Sequence, residues 1–91
     1  MTDALILADL PEADWLALRD ALVDAGWAME KGGGLDHAWA ILRQGELRID
    51  MQWDRWEQGE VHGARGQVER IAAALPDPLR RMLNLIQVGQ V

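Results

Sequence analysis

The chain has almost no side chains that serve as catalytic nucleophiles. It contains no Cys, Ser or Tyr, and its single Thr is Thr2. Without Cys, neither a disulfide framework nor a thiolate metal site can form. Covalent catalysis by Ser, Cys or Tyr is excluded, and Thr2 could act only after removal of Met1 and within an ordered terminus. We therefore expect a protein that is not an enzyme and carries no cofactor.

Basic residues are also scarce. The 91-residue chain has 9 Lys and Arg against 15 Asp and Glu, a formal net charge of −6, and its only adjacent basic pair is Arg80-Arg81. Nucleic-acid-binding proteins neutralise phosphates with clustered Lys and Arg, so we expect no nucleic-acid partner. The negative charge can simply favour solubility, or it can suit a basic protein partner. An acidic inhibitor or immunity-type protein is one version of the second case.

Long apolar runs are absent as well. None approaches the roughly 20 residues of a membrane span, and the first residues lack the basic region and apolar core of a signal peptide. We expect a cytoplasmic protein of the small-domain kind found in bacteria, with no membrane partner. The length suits a single domain, residues 1–91, with one modest core.

Residues 37–53 have the pattern of a β-hairpin. The second half alternates between apolar and polar side chains, which is typical of a half-buried strand. Gln44-Gly45 is predicted as a two-residue turn, because Gly tolerates a positive φ. That turn places one set of apolar residues on a core-facing side: Ala38, Ala40, Leu42, Leu47, Ile49 and Met51. The predicted pairs are Leu42 with Leu47, Ala40 with Ile49, Ala38 with Met51, Ile41 with Arg48, Trp39 with Asp50, and His37 with Gln52.

Other segments frame this hairpin. Residues 4–8 are a short apolar run that fits a buried strand, and the spacing of Asp9 and Glu12 predicts a capping box for a helix that ends near Ala25 and stops at Gly26. Residues 27–30 alternate as a short strand before the flexible connection 32–34. Residues 60–63 are a further candidate strand. Residues 66–75 are predicted as a helix, and Asp77 is predicted to cap a last helix.

The predicted fold class is α+β, in the order β-α-β-β-β-(β)-α-α. An antiparallel meander of three to four strands needs cover on its apolar face, and helices packed on that one face provide it. Whether the first strand joins the sheet stays open. The last helix has an apolar stripe of Leu79, Met82, Leu83 and Ile86, with Arg80, Arg81, Asn84 and Gln87 facing away. It can dock into a partner's groove or pack on its own sheet.

The residues best suited to chemistry are two histidines and a carboxylate. Glu60 and His62 share a face of a strand by the period of two, and His37 lies on another strand of the same sheet. Such groups can bind a divalent ion or act as an acid and a base. The alternative function is therefore a small metal- or ligand-binding protein that could also be catalytic. Because nothing fixes His37 beside His62, we expect surface histidines and no metal site.

The five Trp residues supply all the Phe, Trp and Tyr of the chain. Trp15 and Trp53 lie on core-facing stripes, but Trp39 shares the outward hairpin face with Ile41, and Trp56 lies in a polar loop. Trp and Arg are common in binding hot spots. We therefore predict a non-enzymatic protein-interaction module, with a homodimer contact or a site for a basic partner at Trp39, Ile41, Arg48, Asp50 and Trp56. Alternatively, another segment of the chain covers this face.

Overall fold

The computed structural model describes residues 3–83, which form five strands and three helices. In chain order the elements are β1 (Ala4–Leu10), α1 (Glu12–Asp24), β2 (Ala28–Gly33), β3 (His37–Gln44), β4 (Leu47–Asp54), β5 (Gln58–Gly63), α2 (Val68–Ala74) and α3 (Asp77–Met82). The predicted α+β class is confirmed. Of these three helices, none has the length and apolar character needed to cross a membrane.

The five strands form one antiparallel sheet in the order β1-β5-β4-β3-β2. Strands β2 to β5 are the predicted meander, and β1 extends it by pairing with β5. The meander thus has four strands, within the predicted three to four, and the first apolar run adds a fifth as an edge strand. The sequence left this open because a short apolar run has no period that separates a buried strand from a helix.

The β3–β4 hairpin turns at Gly45-Glu46, one residue later than predicted. Gln44 pairs with Leu47 and Leu42 with Ile49, so each predicted partner is wrong by two residues. Gly45 has a φ of 61° and takes the first position of the loop, whereas the prediction placed it second. Both positions suit Gly, since the first needs a positive φ in a type II′ turn and the second in a type I′ turn.

A shift of two residues leaves the faces of the hairpin unchanged, because side chains on a strand alternate with a period of two. On the predicted core-facing side of the hairpin, the most deeply buried residues are Ala40, Leu42, Ile49 and Met51. Ala38 and Leu47 are partly buried and pack against the same core. The prediction that this face points to the core is confirmed.

All three helices contribute to one core on that side of the sheet. The buried helical residues are Trp15, Leu18 and Leu22 of α1, Ile71 and Ala72 of α2, and Leu79 of α3, and Leu83 joins them. Over its described part, the last helix therefore packs on its own domain. Met82 is 41% exposed, which contradicts its place on the predicted apolar stripe. Asn84, Ile86 and Gln87 lie outside the described residues.

The helix starts differ from the predictions. Asp9 lies in β1 with a φ of 60°, and the residue before α1 is Pro11, without a side-chain cap. The predicted capping box is wrong because the strand continues to Leu10 and leaves no room for it. Asp77 likewise begins α3 and makes no side-chain cap hydrogen bond.

The end of α1 follows the prediction. Gly26 has a φ of 101° and donates its N–H to the carbonyl of Val23 at 3.0 Å. The N–H of Trp27 then donates to the carbonyl of Leu22 at 3.0 Å. These two bonds are those of a Schellman motif, in which a left-handed Gly ends the helix.

Candidate protein-binding face

The side of the sheet opposite the helices is named the open face here, because no described helix packs on it. Strand register and alternation place these residues on it: Leu5, Glu30, Gly32, His37, Trp39, Ile41, Arg43, Arg48, Asp50, Gln52, Asp54, Gln58, Glu60 and His62. Four of the five predicted interface residues, Trp39, Ile41, Arg48 and Asp50, lie on this face. The fifth, Trp56, is 74% exposed in the turn between β4 and β5.

The neighbours of these residues differ from the predicted ones. Trp39 lies opposite Gln52 rather than Asp50, and Ile41 lies opposite Asp50 rather than Arg48. His37 lies opposite Asp54 rather than Gln52. The row across the sheet at Trp39 runs from Gly32 through Gln52 to Glu60. The adjacent row joins Glu30, Ile41, Asp50 and His62.

The indole of Trp39 packs closely against Gly32 of the neighbouring strand. A Cβ atom on Gly32 would lie 2.7 Å from Cζ2 of the Trp39 indole, so only Gly leaves room for this ring position. The residue is 38% exposed. Strand β2 thus includes Gly32 and Gly33, and the prediction that residues 32–34 are only a flexible connection is wrong. The glycine serves close packing by an aromatic ring on the next strand.

Gly32→Ala is expected to displace the Trp39 indole while the domain stays folded, because the clash involves a side chain at the surface. The five indole N–H signals of a ¹H–¹⁵N NMR spectrum report on the five Trp residues, and Trp39→Phe identifies the Trp39 signal. We expect that signal to shift in Gly32→Ala. The matched control is Gly34→Ala, since a Cβ there would contact only His37 at an ordinary 3.5 Å. Equal shifts in both variants would contradict this packing.

The two arginines of the open face are already paired. Arg43 donates to Glu30 at 2.7 Å, and Arg48 donates to Asp50 at 2.9 Å. Asp3 adds another carboxyl group beside Asp50. A hydrogen bond to Asp50 raises the pKa of Asp3 above its ordinary value, and burial and the negative charge of Asp50 act in the same direction. The face therefore has more carboxylates than cations.

One end of the open face forms a pocket of about 300 Å³, which we call the Trp39 pocket. Its lining includes His37, Trp39, Asp54, Glu57 and Glu60, and no Lys or Arg is among the lining residues. Asp54 is held in place because its Oδ1 accepts hydrogen bonds from the backbone N–H groups of Trp56 and Glu57, at 2.9 and 2.6 Å. The pocket thus combines an indole wall with a fixed carboxylate.

Sequence reasoning missed Asp54 and Glu57 of this pocket, and it also missed the packing of Trp39 against Gly32. Asp54 starts a turn of the form in which an Asp side chain accepts backbone N–H bonds, and this local signal was available. The proximity of Asp54 to Trp39 and Glu60 could not be predicted, because these three residues lie on three different strands. Only the strand register brings them together.

The structure does not assemble the alternative histidine site. Glu60 and His62 share a face as predicted, with Oε1 and Nε2 3.0 Å apart. His37 lies two strands away and opposite Asp54, whereas His62 lies opposite Asp50. Four residues along β4 separate these positions, roughly 13 Å. Within residues 3–83, no group of three or more His, Asp or Glu side chains is arranged to hold a metal ion.

Comparison with known proteins adds no family and no function. No protein-family model, curated protein or solved structure matches the chain.

Proposed function

We propose that this protein is a non-enzymatic interaction module that binds another protein with the open face of its sheet. The observation that supports this most is the position of Trp39, which is 38% exposed on a face that no described helix covers. Trp side chains contribute strongly to protein interfaces because they bury a large area at little entropic cost. Ile41 in the adjacent row extends the apolar centre, and charged residues surround it.

Two partners are candidates for this face. A second copy of the chain could bind in a two-fold arrangement, in which Arg48 of each subunit meets Asp50 of the other. A basic protein could bind instead to the carboxylates around Trp39. The alternative function, metal or ligand binding by His37, His62 and Glu60, has less support because the two histidines lie far apart on the face.

A position-specific crosslinking experiment tests the proposed function. A photo-crosslinking amino acid at Gln52, which is exposed beside Trp39, should form an adduct in cells that produce the protein naturally. The matched control is the same amino acid at Ala17, an exposed position of α1 on the opposite side of the molecule. We expect the adduct from position 52 only, and we expect Trp39→Glu to abolish it.

The mass of the adduct distinguishes the two partners, since two copies of this 10.2 kDa chain have twice its mass. Light scattering of the purified chain gives an independent measure of self-association. The proposed function would be wrong if position 52 gave no adduct, or if positions 52 and 17 gave the same adducts.

A further inference from the structure

We propose that the partner of the open face is a basic protein segment, and that one of its Arg or Lys side chains enters the Trp39 pocket. This inference rests on the proposed function and adds the chemistry of the partner. It is carried by the charge and shape of the open face.

The charge of the face is complementary to a basic partner. Arg43 and Arg48 each have a carboxylate partner on the face, so their charges are already compensated. Within residues 3–83, neither Lys nor Arg pairs with Asp54, Glu57 or Glu60. Glu60 Oε1 lies 3.0 Å from Nε2 of His62. Within residues 3–83, a cation from a partner can therefore reach Asp54 and Glu57 without breaking an existing ion pair. Complementary charge of this kind sets partner choice and speeds association.

The shape of the pocket suits a single long cationic side chain. At about 300 Å³ it is at the small end of ligand pockets. The indole of Trp39 is part of its lining, and indole rings attract ammonium and guanidinium groups by cation–π interaction. The Trp39 ring packs closely against Gly32, and the backbone N–H groups of Trp56 and Glu57 hold Asp54. Both parts are thus in place before a partner arrives, which lowers the cost of binding.

The same charges disfavour a second copy of the chain. A two-fold contact would bring the acidic open faces of two molecules together, each with a formal net charge of −6. The paired Arg43 and Arg48 would have to leave their partners to offset this repulsion. Like charges brought together across an interface oppose binding and exclude wrong partners.

The experiment uses the purified full chain and a short dye-labelled peptide of alternating Arg and Gly. A peptide with Glu in place of Arg is the control probe. Fluorescence anisotropy should show binding of the Arg peptide only, weaker at about 0.3 M than at about 0.05 M salt. The indole N–H signal of Trp39 should shift during the titration. We also expect Trp39→Ala to weaken binding roughly tenfold.

Matched variants separate a specific site from general attraction to an acidic protein. The pair Asp54→Asn with Glu60→Gln removes two charges from the open face, and Asp14→Asn with Asp24→Asn removes two from the exposed side of α1. We expect the affinity for the Arg peptide to fall roughly tenfold in the first pair and less than about twofold in the second. Circular dichroism checks that both fold.

Equal losses in the two charge-neutralised pairs would overturn the inference, because binding would then follow net charge alone. The inference would also be overturned if the chain did not bind the Arg peptide while position 52 still crosslinked to a second copy or to an acidic protein. In that case the proposed function would stand. Failure of crosslinking from position 52 would count against the proposed function itself.

Discussion

Ile49→Asp is expected to unfold the domain. Ile49 is 0% exposed, and on β4 it lies between Leu42 of β3 and Gly63 of β5. Within residues 3–83, no buried Lys, Arg or His is present that could form an ion pair with a new carboxylate. An unpaired buried charge costs several kcal/mol, against about 5–15 kcal/mol for the stability of a whole domain. Far-ultraviolet circular dichroism and urea denaturation measure the loss.

Gln52→Asp is the matched control for this substitution. It adds the same charge to the same strand, but at an exposed position of the open face. Its free energy of unfolding should change by less than about 0.5 kcal/mol. Ile49→Val should stay folded and lose about 1 kcal/mol. An Ile49→Asp variant as stable as Gln52→Asp would mean that this face of the hairpin does not point to the helices.

Gly59→Ala is expected to lower the free energy of unfolding by about 3 kcal/mol or more. A Cβ atom at position 59 would lie 2.5 Å from Cδ1 of Trp15 and 3.1 Å from Cβ of Leu10. Trp15 is 0% exposed at the centre of the core, so its indole cannot move without displacing its neighbours. Gly59 itself does not need a positive φ, and the cost is therefore steric. Urea denaturation gives the change in the free energy of unfolding.

Gly63→Ala is the control on the same strand. There a Cβ atom would meet the ends of the Ile6, Val68 and Ile71 side chains at 3.1 to 3.3 Å, which can adjust by a few tenths of an ångström. Its cost should be smaller than that of Gly59→Ala. In addition, Trp15→Leu should reduce the cost of Gly59→Ala, since a smaller side chain removes the clash. Equal costs at positions 59 and 63 would contradict this account.

Local sequence patterns were sufficient to predict which side of a strand or helix faces the core. The alternation in β4 identified Ile49 and Met51 as core residues, and the apolar stripe of α1 identified Trp15 as one. These predictions survive an error in the hairpin turn because a shift of two residues preserves the face of every side chain. Gly26 was predictable for a similar reason, since its left-handed conformation ends a helix through bonds within a few residues.

Strand pairing could not be obtained in the same way. Gly45 fits either position of a two-residue turn, so the partners of Trp39 and Ile41 were undetermined by local chemistry. The place of β1 at the sheet edge depends on its pairing with β5, between residues that are 49 to 59 positions apart along the chain. The N-cap positions of α1 and α3, Pro11 and Pro76, were missed. The capping patterns at Asp9 and Asp77 also occur where a strand continues or where a proline occupies the N-cap.

The amino-acid sequence by itself determined the α+β class, the core-facing residues of the hairpin, and the net negative charge. It did so because each of these properties depends on composition or on a short period along one segment. Only the tertiary structure decided the five-stranded order, the contact of Trp39 with Gly32 and the pocket formed by residues of β3, β4 and β5. These features depend on contacts between distant segments, and a register that differs by two residues would give Trp39 different neighbours while leaving every local pattern intact.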